Sequence, residues 1–217
     1  MAAMLVPATA GAFSGSLLNT AYIGSDGVWA TGNWNRIDQL SLSWDVNQNP
    51  DDSWTYRYVF THRCRPTARF LLETSPSFTE NDIFGETIGF SSAVVRLHHP
   101  YEANPNMPSS LYGIDFLGVG GLSTTIQFDS FRAPIWGDFY SRSALEGPTG
   151  GSRCHQTAWN QGFLQNDIDP LAPAANGSYL GHILVPDTQT PPIPEPSTML
   201  LLGSGLLGAV AVIRRRR

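Results

Sequence analysis

Apolar and polar residues alternate with a period of two along much of the chain. In QLSLSWDV, Leu40, Leu42, Trp44 and Val46 alternate with Gln39, Ser41, Ser43 and Asp45. In SWTYRYVFTH, Trp54, Tyr56, Tyr58 and Phe60 share one face, and Thr55, Arg57, Val59 and Thr61 share the other. Successive side chains of a strand point to opposite faces, so this pattern predicts half-buried strands. Between the two runs lies NQNPDD, Asn47 to Asp52, a cluster of turn-forming residues. The pair therefore reads as a β-hairpin with a loop of several residues. Further strands are predicted over 68–73, 93–98, 111–117, 123–128 and 135–140, most of them separated by turn-formers. Many short strands at such spacing predict an all-β domain, an antiparallel β-sandwich or jelly roll. The one helical turn expected, over 77–83, has Ser77 or Thr79 as its N-cap.

The pattern changes at the C-terminus. Residues 198–213 carry no charge. As a helix they would span about 24 Å, slightly less than the hydrocarbon core of about 30 Å. Arg214, Arg215, Arg216 and Arg217 follow at once. Their long stems can snorkel, so a single C-terminal transmembrane helix is predicted. The positive-inside rule places these arginines in the cytoplasm and the body of the chain outside. Just upstream, Pro191, Pro192, Pro194 and Pro196 favour an extended, accessible linker.

Four segments result. Residues 1–20 contain small-residue patterns, Ala8-Thr9-Ala10 and Ala10-Gly11-Ala12, of the kind that precede a signal-peptidase cut. They read as the remnant of a signal peptide that starts upstream, or as a disordered polar arm. Residues 21–187 form the β ectodomain, 188–197 the Pro-rich linker, and 198–217 the helix with its arginine tail.

Pro194-Glu195-Pro196, an apolar helix and a terminal arginine cluster, in that order, resemble the PEP-CTERM sorting signal of Gram-negative bacteria. The resemblance covers residues 194–217. It implies recognition by exosortase, a membrane-embedded enzyme resembling cysteine transpeptidases. It further implies cleavage at or near Pro194-Glu195-Pro196 and transfer to the cell surface, usually in species that make exopolysaccharide. Phrases of the body, among them SWTYRYVFT, YGIDF and HILVPDT, are similar to pieces of uncharacterised proteins of the same class. That resemblance brings no activity with it.

Composition narrows the function further. The chain has 217 residues, and Gly (21) and Pro (16) are frequent enough to favour many turns. Charged residues make up only 14%, against roughly 25% in ordinary soluble domains. All 13 basic residues are arginine. Without the terminal four, 9 basic residues face 18 acidic ones, a net charge of −9. Nucleic acid rewards basic patches, so a nucleic-acid partner is excluded. Cys64 and Cys154 belong to no CxxC pair and leave no zinc site of the usual kind. In an exported protein they read as one disulfide closing a loop of about 90 residues, or as two unpaired thiols.

Candidate chemistry is sparse. His98 and His99 would point to opposite faces of a strand and could not easily share a metal. Asp51 and Asp52, with Asn47 and Asn49, offer oxygen ligands, but hairpin turns use the same residues. Asp167 and Asp169 in AWNQGFLQNDIDP read likewise. GGS at Gly150 to Ser152 does not continue as G-x-S-x-G, and GSGLLG in the tail has no preceding strand. Asn176-Gly177-Ser178 fits a glycosylation sequon without relevance to bacterial sorting of this kind. No catalytic residue, metal or cofactor is assigned.

Of the 6 Trp, 7 Tyr and 11 Phe, Trp44, Trp54, Tyr56 and Tyr58 alternate as core residues should. Trp29 and Trp34, in the Gly-rich GVWATGNWN, are the candidates for exposure and for stacking on sugar rings. The sequence thus reads as an exported, non-enzymatic surface or matrix protein. Its partners are exosortase, the membrane through the C-terminal helix, and extracellular polysaccharide. The alternatives are a carbohydrate-binding module, a protein that stays anchored by an uncleaved helix, and an extracellular hydrolase. A hydrolase would need two acids about 5–10 Å apart in a cleft.

Overall fold

The computed structural model describes residues 11–19, 27–35, 40–101, 103–144, 156–163 and 169–186. Thirteen strands run through them: β1 (Ala12–Leu18), β2 (Val28–Ala30), β3 (Ser41–Gln48), β4 (Trp54–Thr61), β5 (Thr67–Glu73), β6 (Phe84–Ile88), β7 (Ser92–His98), β8 (Leu111–Leu117), β9 (Ser123–Ser130), β10 (Pro134–Gly137), β11 (Phe139–Ser143), β12 (Thr157–Asn160) and β13 (Ile183–Pro186). Every ladder is antiparallel. One sheet has the order β1-β3-β4-β9-β6, and a second the order β2-β12-β11-β5-β8-β7. The pair β10-β13 forms a third, two-stranded sheet. No α-helix occurs among the described residues. The all-β expectation therefore holds.

The alternation read from the sequence is what closes the core. Leu42, Trp44 and Val46 of β3 and Tyr56, Tyr58 and Phe60 of β4 are all fully buried. They share one cluster with Phe70 and Leu72 of β5, Ile114 and Phe116 of β8, and Phe139 of β11. The two sheets thus turn their apolar faces toward each other, a layering consistent with a β-sandwich. Aromatic contacts cross the interface, as in Phe60–Phe70 (5.9 Å) and Phe116–Phe128 (5.6 Å). Burying each such side chain contributes about 1.5–3 kcal/mol. Tyr58 meets its one polar need by donating its hydroxyl to the Leu184 carbonyl at 2.8 Å.

The β3–β4 hairpin forms with the expected loop. Asp51 Oδ1 accepts from Ser53 Oγ at 2.6 Å and from the Ser53 backbone N–H at 3.2 Å. Asp52 takes the left-handed backbone, with φ 66°. Both aspartates therefore act as turn residues. The expected helical turn is a single 3-10 turn over Glu80–Asp82, where Asp82 Oδ2 accepts the Thr79 backbone N–H at 2.8 Å.

Three expectations change. The segment 1–20 is not all arm or signal remnant, because β1 pairs with β3 over its full length and Leu17 is buried. Gly15 lies opposite Trp44, and a Cβ there would fall 2.2 Å from the indole ring. The loop before β13 clamps the same strand: Ser14 N–H donates to Asn176 Oδ1 (2.9 Å), and Gly177 N–H donates to the Ser14 carbonyl (2.8 Å). The domain thus starts before Ala21, and the sequon asparagine serves the fold.

The strand expected over 135–140 breaks at Asp138 into β10 and β11, which join different ladders. Asp138 has its own partners: its N–H donates to Glu73 Oε2 (2.8 Å), and its side chain meets Asn160 and His182. The third change concerns Trp34, discussed below. Among the described residues no helix is long and apolar enough to cross a membrane. The apolar run 198–213, the linker with Pro194, Glu195 and Pro196, Arg214 to Arg217, and Cys154 all lie outside them.

Candidate functional site

The outward face of the second sheet carries a row of aromatic and polar side chains, exposed at Trp29 and covered at Tyr140, Leu71 and Asp115. In register across it lie Trp29 (β2), Trp159 (β12), Tyr140 (β11), Leu71 (β5) and Asp115 (β8). Directly paired residues on neighbouring strands project to the same face. The alternate row, Ala30, Ala158, Ser141, Phe70 and Phe116, points into the core.

The segment after β7, residues 99–101 and 103–110, folds back over part of this outward face. Met107 packs there with Leu71, Leu111, Tyr140 and Phe163. Polar contacts fix its path. Tyr140 donates its hydroxyl to the Pro105 carbonyl at 2.7 Å. Arg69 donates through Nη1 to Asn104 Oδ1 and through Nη2 to Asp115 Oδ2, each at 2.7 Å. Asn104 Nδ2 returns to the His99 carbonyl at 3.0 Å, and Asn106 Nδ2 reaches Thr157 Oγ1 at 3.4 Å. Tyr101 and Asn106 take positive φ values, 76° and 60°.

Between this segment and strands β2 and β12 opens a groove of about 580 Å³. Trp29, Tyr101, Trp159 and Phe163 line it, with Asn106 and Met107 among the remaining wall residues. Tyr101 is 87% exposed and Trp29 36%. The volume lies in the range of small-ligand sites, which pair aromatic walls with a few polar groups. Here the polar groups are the Asn106 amide, the tyrosine hydroxyl and the indole N–H groups. Among the described residues, no carboxylate, imidazole or thiol lines the groove.

Of the two tryptophans expected at the surface, Trp29 lies in the groove. Trp34 does not: it is buried to 1% and donates its indole N–H to the Cys64 carbonyl at 2.8 Å. A 3-10 turn over Gly32–Trp34, with Gly32 at φ 60°, carries the ring inward against Phe60 and His62. Sequence reading missed Trp159, Tyr101 and Phe163. Trp159 is paired with Trp29 across 130 positions of chain, which local periodicity does not reveal.

The remaining candidates divide. His98 is buried and His99 exposed, so they do face apart, and His99 meets Ser110 Oγ at 3.0 Å. Burial holds His98 below the usual imidazole range, with the Asp115 charge opposing. Cys64 is exposed. Asp167 lies outside the described residues, while Asp169 converges with two residues that the sequence did not connect to it. His182 Nδ1 lies 3.1 Å from Asp138 Oδ1 and 3.6 Å from Asp169 Oδ1.

The family comparison bears on the tail. Residues 192–217 match the model of the PEP-CTERM protein-sorting motif. The chain thus carries that sorting motif, which supports its reading as an exported protein processed by exosortase. No curated protein and no solved structure matches the chain.

Proposed function

We propose that the chain is a non-enzymatic surface or matrix protein whose β domain binds extracellular polysaccharide through the Trp29–Trp159 groove. The observation that carries this is the groove lining among the described residues: aromatic faces and one amide, at ligand size. Sugar rings present an apolar face that stacks on aromatic rings, and hydroxyls that the amide and indole N–H groups can address. The hydrolase alternative would need paired carboxylates at the bound sugar, and the described lining supplies none. The sorting motif supports export, and export would bring the groove to extracellular polysaccharide. In this reading the apolar run 198–213 anchors the precursor with Arg214 to Arg217 in the cytoplasm, until exosortase cuts near Pro194-Glu195-Pro196.

The test is retention on immobilised acidic and neutral polysaccharides, followed by a glycan array, using the full chain in detergent. Trp159→Ala and Trp29→Ala are each expected to weaken binding at least tenfold, about 1.4 kcal/mol. Trp34→Phe, which leaves the groove intact, should bind as the parent does. Equal retention of the parent and both groove variants would sink the assignment, as would no retention of the parent.

A further inference from the structure

We propose that Asp138, Asp169 and His182 form a binding site for one divalent first-row cation of the zinc or manganese kind. One donor atom from each side chain lies within 4.8 Å of the others. The imidazole Nδ1 faces both carboxylates, at 3.1 Å from Asp138 Oδ1 and 3.6 Å from Asp169 Oδ1. Metal bonds of about 2.0–2.2 Å set neighbouring donors roughly 3–3.5 Å apart, so these separations suit donors sharing one ion. An imidazole nitrogen with two carboxylate oxygens suits zinc or manganese better than an all-oxygen calcium cage.

The surroundings hold the donors in place. Asp138 sits at the break between β10 and β11, and its side chain is only 1% exposed. Asn160 of β12 donates to Asp138 Oδ1 and also to the Gly181 carbonyl (2.9 Å), while its own Oδ1 accepts the Phe139 N–H (2.8 Å). Hydrogen bonds of this kind orient metal-binding carboxylates. His182 follows a tight turn in which Leu180 and Gly181 have φ 52° and 79°, closed by His182 N–H to the Tyr179 carbonyl at 3.0 Å. Its ring lies against Gly162, where a Cβ would come within 2.6 Å of Nε2. The Asp169 side chain is 35% exposed, which gives an ion a route in and leaves coordination positions for water.

The site stands apart from polysaccharide binding, and its test reads metal alone. The full chain, without affinity histidines, is stripped with EDTA in detergent. It is then titrated separately with Zn²⁺, Mn²⁺ and Ca²⁺, following stoichiometry by calorimetry and elemental analysis, and thermal unfolding in parallel. One equivalent of Zn²⁺ or Mn²⁺ should bind and raise the Tm as any native-state ligand does. Asp169→Asn, a change at a half-buried position, and His182→Gln should each lower affinity at least 100-fold. Asn160→Ala should lower it 10- to 100-fold. The proposal is overturned if the stripped parent takes up no ion with a Tm shift. It is equally overturned if both Asp169→Asn and His182→Gln keep parental uptake, or if only Ca²⁺ binds.

Discussion

Asp115→Ala is a searching test of how the groove is held together. Asp115 is nearly fully buried, and its Oδ2 accepts from Arg69 at 2.7 Å; the two side chains are 2% and 12% exposed. The same guanidinium holds Asn104, and through it the segment that walls the groove. Coulomb attraction at this distance is large in a low dielectric, but desolvation of both ions cancels much of it. Removing only the acid leaves the arginine buried without its counter-charge, at a cost of about 3–5 kcal/mol. Replacing both partners together, as Arg69→Met with Asp115→Leu, avoids that orphaned charge and should cost markedly less than the sum of the single changes. Asn104→Ala removes a hydrogen bond to a charged group, worth about 1.5–3 kcal/mol. It should loosen the groove more than the sheet. Urea unfolding gives the stabilities, and a double-mutant cycle gives the coupling between Arg69 and Asp115. Single variants within about 1 kcal/mol of the parent, with additive effects, would refute the reasoning.

Two other outcomes follow from local chemistry. Burial beside Trp34 and Phe60 pushes His62 down to about 4. Well above pH 6.5, the ordinary pKa of an imidazole, the ring is neutral in both states. Between there and pH 4 only the unfolded chain takes up the proton, so stability falls with falling pH, by at most about 1.4 kcal/mol per pH unit. His62→Gln should flatten that part of a Tm-against-pH curve, and an unchanged slope would count against the assignment. The sorting claim is read by C-terminal mass and cell fractionation in exosortase-positive and exosortase-null hosts. The tail should be lost only in the former, and retention of Arg214 to Arg217 in both would contradict processing.

The sandwich-like core was legible because alternation is a local property: Leu42 to Val46 and Tyr56 to Phe60 display their buried face without any partner being known. The break at Asp138 was not, because an apolar run such as Ile135-Trp136 gives no sign that the next acid has a histidine and an asparagine waiting. Trp34 was misplaced for a related reason. Glycine-rich context suggests exposure on average, but the positive φ of Gly32 here turns the indole into the core. The groove and the Asp138–Asp169–His182 cluster depend on which strands pair. Trp29 meets Trp159, and Asp138 meets His182, only after the chain has crossed between ladders several times. The sorting motif needed no fold at all, since its signal is order and composition within 26 residues.

The last strand has a mechanical meaning. β13 ends at Pro186, immediately before the stretch that leads to the sorting motif, and all four of its residues are buried. Its backbone is laced to β10 from Pro134 to Gly137, and the Leu184 carbonyl holds the Tyr58 hydroxyl. In the proposed anchored precursor, a pull from the C-terminal side would therefore load this buried strand first. Unfolding from that end would have to draw Ile183, Leu184 and Val185 out of the core. A covalent linker outlasts hydrogen bonds and packing, so the seating of β13 is what such a load would test first.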